Sequence, residues 1–296
     1  MEHLIRRFPG LGDFPRRDLG VRSTPVEEHR VGGLALLVKR EDLTHPLYGG
    51  NKPRVLEFLL ALPARRLLTY STLPARHAYA TAVHGARLGL VTDAILVRRG
   101  AAGRETERLR TLGGRVVEIG GAWGAAGATL RLWRPGTRVI PPGGVSARGA
   151  LGSLAALFEL SEVPRRIYAP LGSGATVSGL LAGLMLRGAR CEVVAVRAAD
   201  RIAAFPMLLW ARAHRALALL RRHDPAVPRA GAGGVTLRVV HPTGAYGEPT
   251  VAVAAALEAA DGLPLEAAYT GRTLAVLLAE RAEGALFWQT AAASPP

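Results

Sequence analysis

A chain of 296 residues with 49% hydrophobic content can bury a substantial core in one large or two smaller domains, and its longest apolar runs fall far short of the ~20 residues that cross a bilayer. One cysteine, Cys191, excludes an internal disulfide framework, and the opening MEHLIRRFPG lacks the apolar centre of a signal peptide, so a cytoplasmic location is expected. The net charge of +15 invites a nucleic-acid reading, but the arginines are scattered, aromatic residues reach only 5%, and no zinc-finger or RNP-like spacing occurs; neither a nucleic-acid nor a membrane partner is expected.

In chain order the pattern alternates. LALLVKRED (34–42) reads as a strand, NKPRVLEFLLALPA (51–64) as a helix with Pro53 in its first turn, and RRLLTYST (65–72) as a buried strand. A helix follows over 76–90, then a strand over 93–99, a helix over 104–114 and a strand over 115–120. After a Gly/Pro-rich joint at 139–152 come helix 151–162, strand 165–171, helix 176–188 and strand 191–199, the last carrying Cys191 as a buried residue. An amphipathic helical segment spans 201–223, a glycine-rich connector 229–234, a strand 235–240 and a turn 241–249. Strands alternating with helices predict an α/β fold with parallel sheets flanked by helices, and no 20–50-residue repeat interrupts it.

Of 38 Lys plus Arg residues only Lys39 and Lys52 are lysine, leaving 38 − 2 = 36 arginines. Arginine stays protonated and cannot act as an amine nucleophile, whereas lysine can, most plainly by forming an imine with a carbonyl cofactor. Lys52 lies in GGNKPR, among glycines at the start of a helix; Lys39 ends a strand beside Arg40, Glu41 and Asp42 and reads as structural.

The loop PLGSGATVSG (170–179) joins a parallel strand directly to a helix, so free N–H groups and the positive helix end converge at Gly172, Ser173, Gly174, Ala175 and Thr176. It is neither a GxGxxG fingerprint nor a Walker A loop. By itself it is either a phosphate cradle or a glycine-rich turn that binds nothing; paired with a lone reactive lysine it suits pyridoxal phosphate, an aldehyde carrying one phosphate.

Several ordered motifs carry a wider resemblance: KREDLTHPLYGGNKPRVLEFLL, PPGGVSARGALG, GSGATVSGL, AYGEPT, AAYTGRT and LFWQT. In order and spacing the chain resembles the fold-type-II pyridoxal-phosphate enzymes of the 1-aminocyclopropane-1-carboxylate deaminase and D-cysteine desulfhydrase group over nearly its whole length. The resemblance implies a tryptophan synthase β-like architecture, with residues 1–50 and 141–296 in a large cofactor-binding domain, residues 51–140 in a small one, and a homodimer as the assembly. It implies a lyase or deaminase acting on a small amino acid. Lys52 would hold the cofactor and shuttle the substrate's α-proton. Residues 172–176 would hold the phosphate, with Asn51 and Arg54 near the cofactor end of the Lys52 helix. Tyr246 and Tyr269 correspond to active-site tyrosines, and Thr270 or Thr290 would stand by the pyridine nitrogen. A neutral hydroxyl there, where the deaminase branch has glutamate, favours β-elimination over cyclopropane ring opening.

Departures from the pattern matter. Where the family has Ser-Asn-His this chain has Ala75, Arg76 and His77, so the serine hydroxyl is absent, and Arg76 would meet either the cofactor's phenolic oxygen or a substrate carboxylate. Two readings stand beside the lyase: a non-catalytic cofactor-binding homologue and a basic nucleic-acid-associated protein. His77 and His84 share a helix face with no third ligand at metal spacing, so both read as packing or capping residues and no metal is expected.

Overall fold

The computed structural model describes residues 1–99, 102–198, 205–244, 249–260 and 262–290. After a short helix α1 (Glu2–Arg7), strands β1 (Val26–Val31) and β2 (Leu34–Arg40) form an antiparallel hairpin. Gly32 and Gly33 make its turn with φ of +55° and +81°, the left-handed pair that matches the twist of a two-residue hairpin. The chain then builds α2 (Lys52–Leu59), β3 (Arg66–Thr72), α3 (Arg76–Ala86), β4 (Val91–Val97), α4 (Arg104–Thr111), β5 (Val116–Ile119), α5 (Ala125–Leu132) and β6 (Thr137–Ile140). Strands β3 to β6 form a four-stranded parallel sheet in the order β5-β4-β3-β6.

The remaining elements are α6 (Ala147–Leu157), β7 (Arg166–Leu171), α7 (Ala175–Leu186), β8 (Cys191–Arg197), α8 (Pro206–His223), β9 (Val235–Val240), α9 (Val251–Ala259), α10 (Arg272–Ala279) and β10 (Leu286–Gln289). They return the chain to the first hairpin, giving a six-stranded sheet in the order β1-β2-β10-β7-β8-β9. Every pairing in it is parallel except β1 with β2, so the expected α/β architecture gains an antiparallel edge. Alternation of exposed and half-buried residues along VEEHRV hides that strand from a search for apolar runs. Helix α5 and strand β6 were likewise not expected: α5 is short and mostly exposed, and β6 has four residues.

All twelve residues of α7 are buried, which is why its sequence is apolar all round rather than on one stripe. Helix α2 belongs to two cores at once: Phe58 packs with the α6 and α7 residues, Val55, Leu56 and Leu59 with the four-stranded sheet. Each such buried side chain contributes about 1.5–3 kcal/mol. Gly152 of α6 permits the close approach, because a Cβ there would lie 2.6 Å from the Arg54 carbonyl carbon. The helix that begins at Lys52 is thereby seated directly on α6.

A buried ionic network locks the same helix. Arg54 Nε donates to Glu41 Oε2 at 2.7 Å and its Nη1 to Glu159 Oε1 at 2.6 Å; Lys39 Nζ donates to Glu159 Oε2 at 2.7 Å and to the Thr24 carbonyl at 2.5 Å. Lys39 is fully buried, in keeping with its structural reading. Burial alone would raise the Glu159 carboxyl, but Arg54 and Lys39 hold it below the usual glutamate value of 4.5. Its contribution to stability is therefore present above the unfolded value and is lost as the pH falls through the lower folded one. Glu159→Gln strands a buried lysine and is expected to cost about 3–5 kcal/mol in urea unfolding at neutral pH; a change below about 1 kcal/mol would contradict the network's role.

Candidate active site

The carboxyl ends of four parallel strands, two from each sheet, converge on one region, the kind of place where parallel α/β sheets bind ligands. From β3 the chain runs into 73–76, from β6 into 141–144, from β7 into 172–176, and from β10 into Thr290. The Asn51 N–H donates to the Thr290 carbonyl at 3.3 Å, tying the end of β10 to the residue before Lys52.

Lys52 Nζ donates to Asn51 Oδ1 at 2.7 Å, and Asn51 Nδ2 donates in turn to Thr176 Oγ1 at 2.7 Å. One asparagine side chain thus spans the gap between the amine and the glycine-rich turn. Burial, and next the Arg76 guanidinium, push the Lys52 amine from 10.5 down to about 8, against the opposing pull of the Glu266 carboxylate. A useful fraction of neutral amine therefore exists near physiological pH.

The turn 172–176 is shaped by its glycines. Gly174, at φ +93°, caps α7 and directs the helix N-terminus into the region, and Arg212 of α8 donates to the Ser173 carbonyl at 3.4 Å from behind. Ser173 Oγ donates to the carbonyl of Gly143 at 3.4 Å, and a Cβ on Gly143 would collide with that hydroxyl. The first N–H groups of α7 have no acceptor within the helix, so the turn offers donors to an anion. A ligand that carries both a carbonyl and a phosphate suits the lysine and this cradle together.

Helix α3 enters from the other sheet. Ala75, its N-cap, is held at φ +67°, a left-handed conformation that costs a residue with a Cβ on the order of 1–2 kcal/mol. Arg76 Nη1 pairs with Glu266 Oε2 at 2.8 Å and its Nε with Glu105 Oε1 at 3.4 Å. His77 is buried, and burial together with the nearby Lys52 pushes its imidazole down to about 3. Its Nε2 lies 3.0 Å from the Pro141 carbonyl, which can only accept, so Nε2 carries the proton and Nδ1 is left as a buried acceptor without a donor. His84 contacts the Tyr48 carbonyl at 3.1 Å, and among the described residues no group of three His, Cys, Asp or Glu side chains could hold a metal.

The end of β7 is flanked by a π-helical turn, Ala267–Gly271, that carries Tyr269 and Thr270. The Tyr269 ring lies against Gly172: a Cβ there would sit 2.9 Å from Tyr269 Cε1. Thr270 is fully buried, accepts the Glu266 N–H at 2.9 Å, and has its hydroxyl 3.2 Å from the Glu266 carbonyl. Glu266 is the residue that sequence reasoning missed. Its carboxylate accepts the N–H groups of Ala268, Tyr269 and Thr270 at 3.0, 2.9 and 2.9 Å, and an acidic residue just ahead of AAYTG was the available capping signal.

The structure thus brings Asn51, Lys52, Arg76, His77, Tyr269, Thr270 and the 172–176 turn to one region. Arg54, expected near the cofactor, is instead occupied by Glu41 and Glu159 and lines a cavity of about 530 Å³ in which Lys52 has no part. Two positions along a helix are roughly 200° apart, so Arg54 faces away from Lys52. Tyr246 lies outside the described residues. Amine acylation followed by peptide mass mapping is expected to show Lys52 in the cofactor-free protein titrating near 8; a midpoint near 10.5 would contradict its enclosure.

Comparison with known proteins places this arrangement. The family described as pyridoxal-phosphate dependent enzyme matches residues 17–286. The nocardicin C-9′ epimerase of Nocardia uniformis is 32% identical over 235 residues, 71% of either chain. A D-cysteine desulfhydrase of Yersinia enterocolitica is 29% identical over 301 residues, 90% of this chain and 88% of the relative. The crystal structure of an ACC deaminase homologue aligns with a TM-score of 0.75 and 26% identity, over 97% of this chain and 94% of that one. No helix among the described residues is long and apolar enough to cross a membrane. A lysine enclosed at the strand ends, a glycine cradle beside it and a match over most of the sequence lead to one conclusion: the chain belongs to the pyridoxal-phosphate dependent enzymes of fold type II, with pyridoxal 5′-phosphate as its cofactor.

Proposed function

We propose that the chain is a lyase that removes the α-proton of a small amino acid and expels a β-substituent, as a D-cysteine desulfhydrase does, with release of a 2-oxo acid and ammonia. The observation that carries the reading is the path Lys52–Asn51–Thr176, which sets an amine of lowered basicity beside the helix end suited to the cofactor's phosphate. In this reading residues 51–140 form the smaller unit, residues 1–50 with 141–296 the larger, and the reaction occurs between them.

When bound, the cofactor supplies an electron sink for negative charge at the substrate α-carbon. Asn51 orients the Lys52 amine and is itself held by Thr176; the 172–176 turn would hold the phosphate. The Lys52 amine, when free, would be the base that takes the proton from the substrate α-carbon. The electron pair left there forms the Cα–Cβ double bond as the β-substituent departs, and Tyr269 is the hydroxyl we assign to that leaving group. Thr270, whose hydroxyl is bonded to Glu266, would stand by the ring nitrogen and offer it no strong acid. The sink is then weak, which suits elimination of a good leaving group better than opening a cyclopropane.

Inversion at the α-carbon is a second reading, favoured by the 32% identity to the Nocardia epimerase, since it begins with the same proton removal. A panel of D- and L-amino acids separates the two: elimination gives a 2-oxo acid and ammonia from substrates with a β-leaving group, and inversion gives the other enantiomer with solvent deuterium at the α-carbon. Lys52→Ala is expected to reduce either activity to background. A loaded wild-type protein that neither exchanges the α-proton nor releases product would overturn the lyase reading in favour of a cofactor-binding homologue without turnover.

A further inference from the structure

Position 76 is where the chain departs most in charge from the Ser-Asn-His pattern, and its guanidinium lies between two carboxylates. Glu105 is contributed by α4, on the four-stranded sheet, and Glu266 by the turn that precedes α10, on the six-stranded one. Glu105 is further engaged by the Tyr48 hydroxyl, which donates to its Oε1 at 3.5 Å. Glu266 has a second occupation: its two carboxylate oxygens cap the turn that presents Tyr269 and Thr270. The Arg76–Glu266 pair is therefore a direct ionic tie between α3 and the Tyr269 turn, with the Lys52 amine close to both charges.

We propose that Arg76 and Glu266 are positioning residues that form a latch across the cleft, holding the Tyr269–Thr270 turn in register with α3 and placing a cation and an anion beside the Lys52 amine. The idea builds on the reading of Lys52 as the reacting amine. Without Arg76, the capping carboxylate would lose its partner at 2.8 Å and the turn its tie to the opposite sheet. Without Glu266, the turn would lose three N–H acceptors as well as the tie. An arginine engaged in this way is not a free receptor for a substrate carboxylate, which separates the latch from the roles expected for position 76.

Among the described residues, the charged and titratable groups that act on Lys52 are Arg76 and His77 from α3 and Glu266 from the turn; His77 is neutral across the working range, so the latch pair governs the field that these groups set at the amine. Arg76 lowers the Lys52 amine and Glu266 raises it. The two halves of the latch thus act on Lys52 with opposite signs, which loss of structure alone would not do.

The test is the acylation midpoint of Lys52 in the full-length protein freed of cofactor by dialysis, read by peptide mass mapping. The chain has only two lysines and the other, Lys39, is fully buried, so the signal is unambiguous. Arg76→Gln is expected to raise the midpoint by about one pH unit and Glu266→Gln to lower it by a similar amount. Arg76→Lys restores the wild-type value, and the double variant returns close to it. Glu266→Gln keeps an amide oxygen for the cap, and circular dichroism confirms that each variant is folded. Shifts of the same sign, or no shift in folded Arg76→Gln, would overturn the latch; because the readout needs no substrate, that failure is distinct from failure of the lyase reading, which only the amino-acid panel reports.

Discussion

The arrangement depends on a short hydrogen-bonded span, in which Lys52 is joined through Asn51 to Thr176 at the start of α7. Its two ends come from different parts of the chain, the lysine from the helix that leads into the four-stranded sheet and the threonine from a helix buried in the six-stranded one. Amine and anion cradle are thereby fixed at one side chain's separation. A ligand that has to offer an aldehyde to the amine and a phosphate to the turn at once needs that separation constant, because a misplacement of an ångström costs reactivity steeply.

What keeps it constant lies behind the site. Helix α2 is pressed against α6 at Gly152 and pinned by Arg54, which bridges Glu41 and Glu159, while Lys39 completes the charge balance. A buried ionic cluster is a poor source of net stability but a strict one of geometry, since its partners tolerate little movement before leaving a charge unpaired. The same helix therefore presents Lys52 on one face and its anchor on the other.

Much of this was legible in the residues. A chain with 36 arginines that retains a lysine among glycines draws attention to that amine, and the structure sets it one asparagine away from the glycine-rich turn between β7 and α7. Lys39 was readable as structural from its charged neighbours. What escaped were groups whose meaning lies in distant partners. Glu266 looks like an ordinary acid until the fold sets it under three N–H groups and against Arg76. Arg54 was expected near the cofactor because the resemblance implies it, while helical rotation turns it away from Lys52 and Glu159 claims it. Strand β1 escaped because a half-exposed edge has no apolar run to detect.

The claim that carries the rest is that one ligand touches both Lys52 and the turn at 172–176. Borohydride reduction of the full-length protein with pyridoxal 5′-phosphate, and separately with pyridoxal lacking the phosphate, tests it directly when the site of attachment is mapped by mass. Stoichiometric attachment at Lys52 with the phosphate ester, and far weaker attachment with the plain aldehyde at equal concentration, is the expected result. Equal trapping of both aldehydes, or attachment away from Lys52, would contradict it.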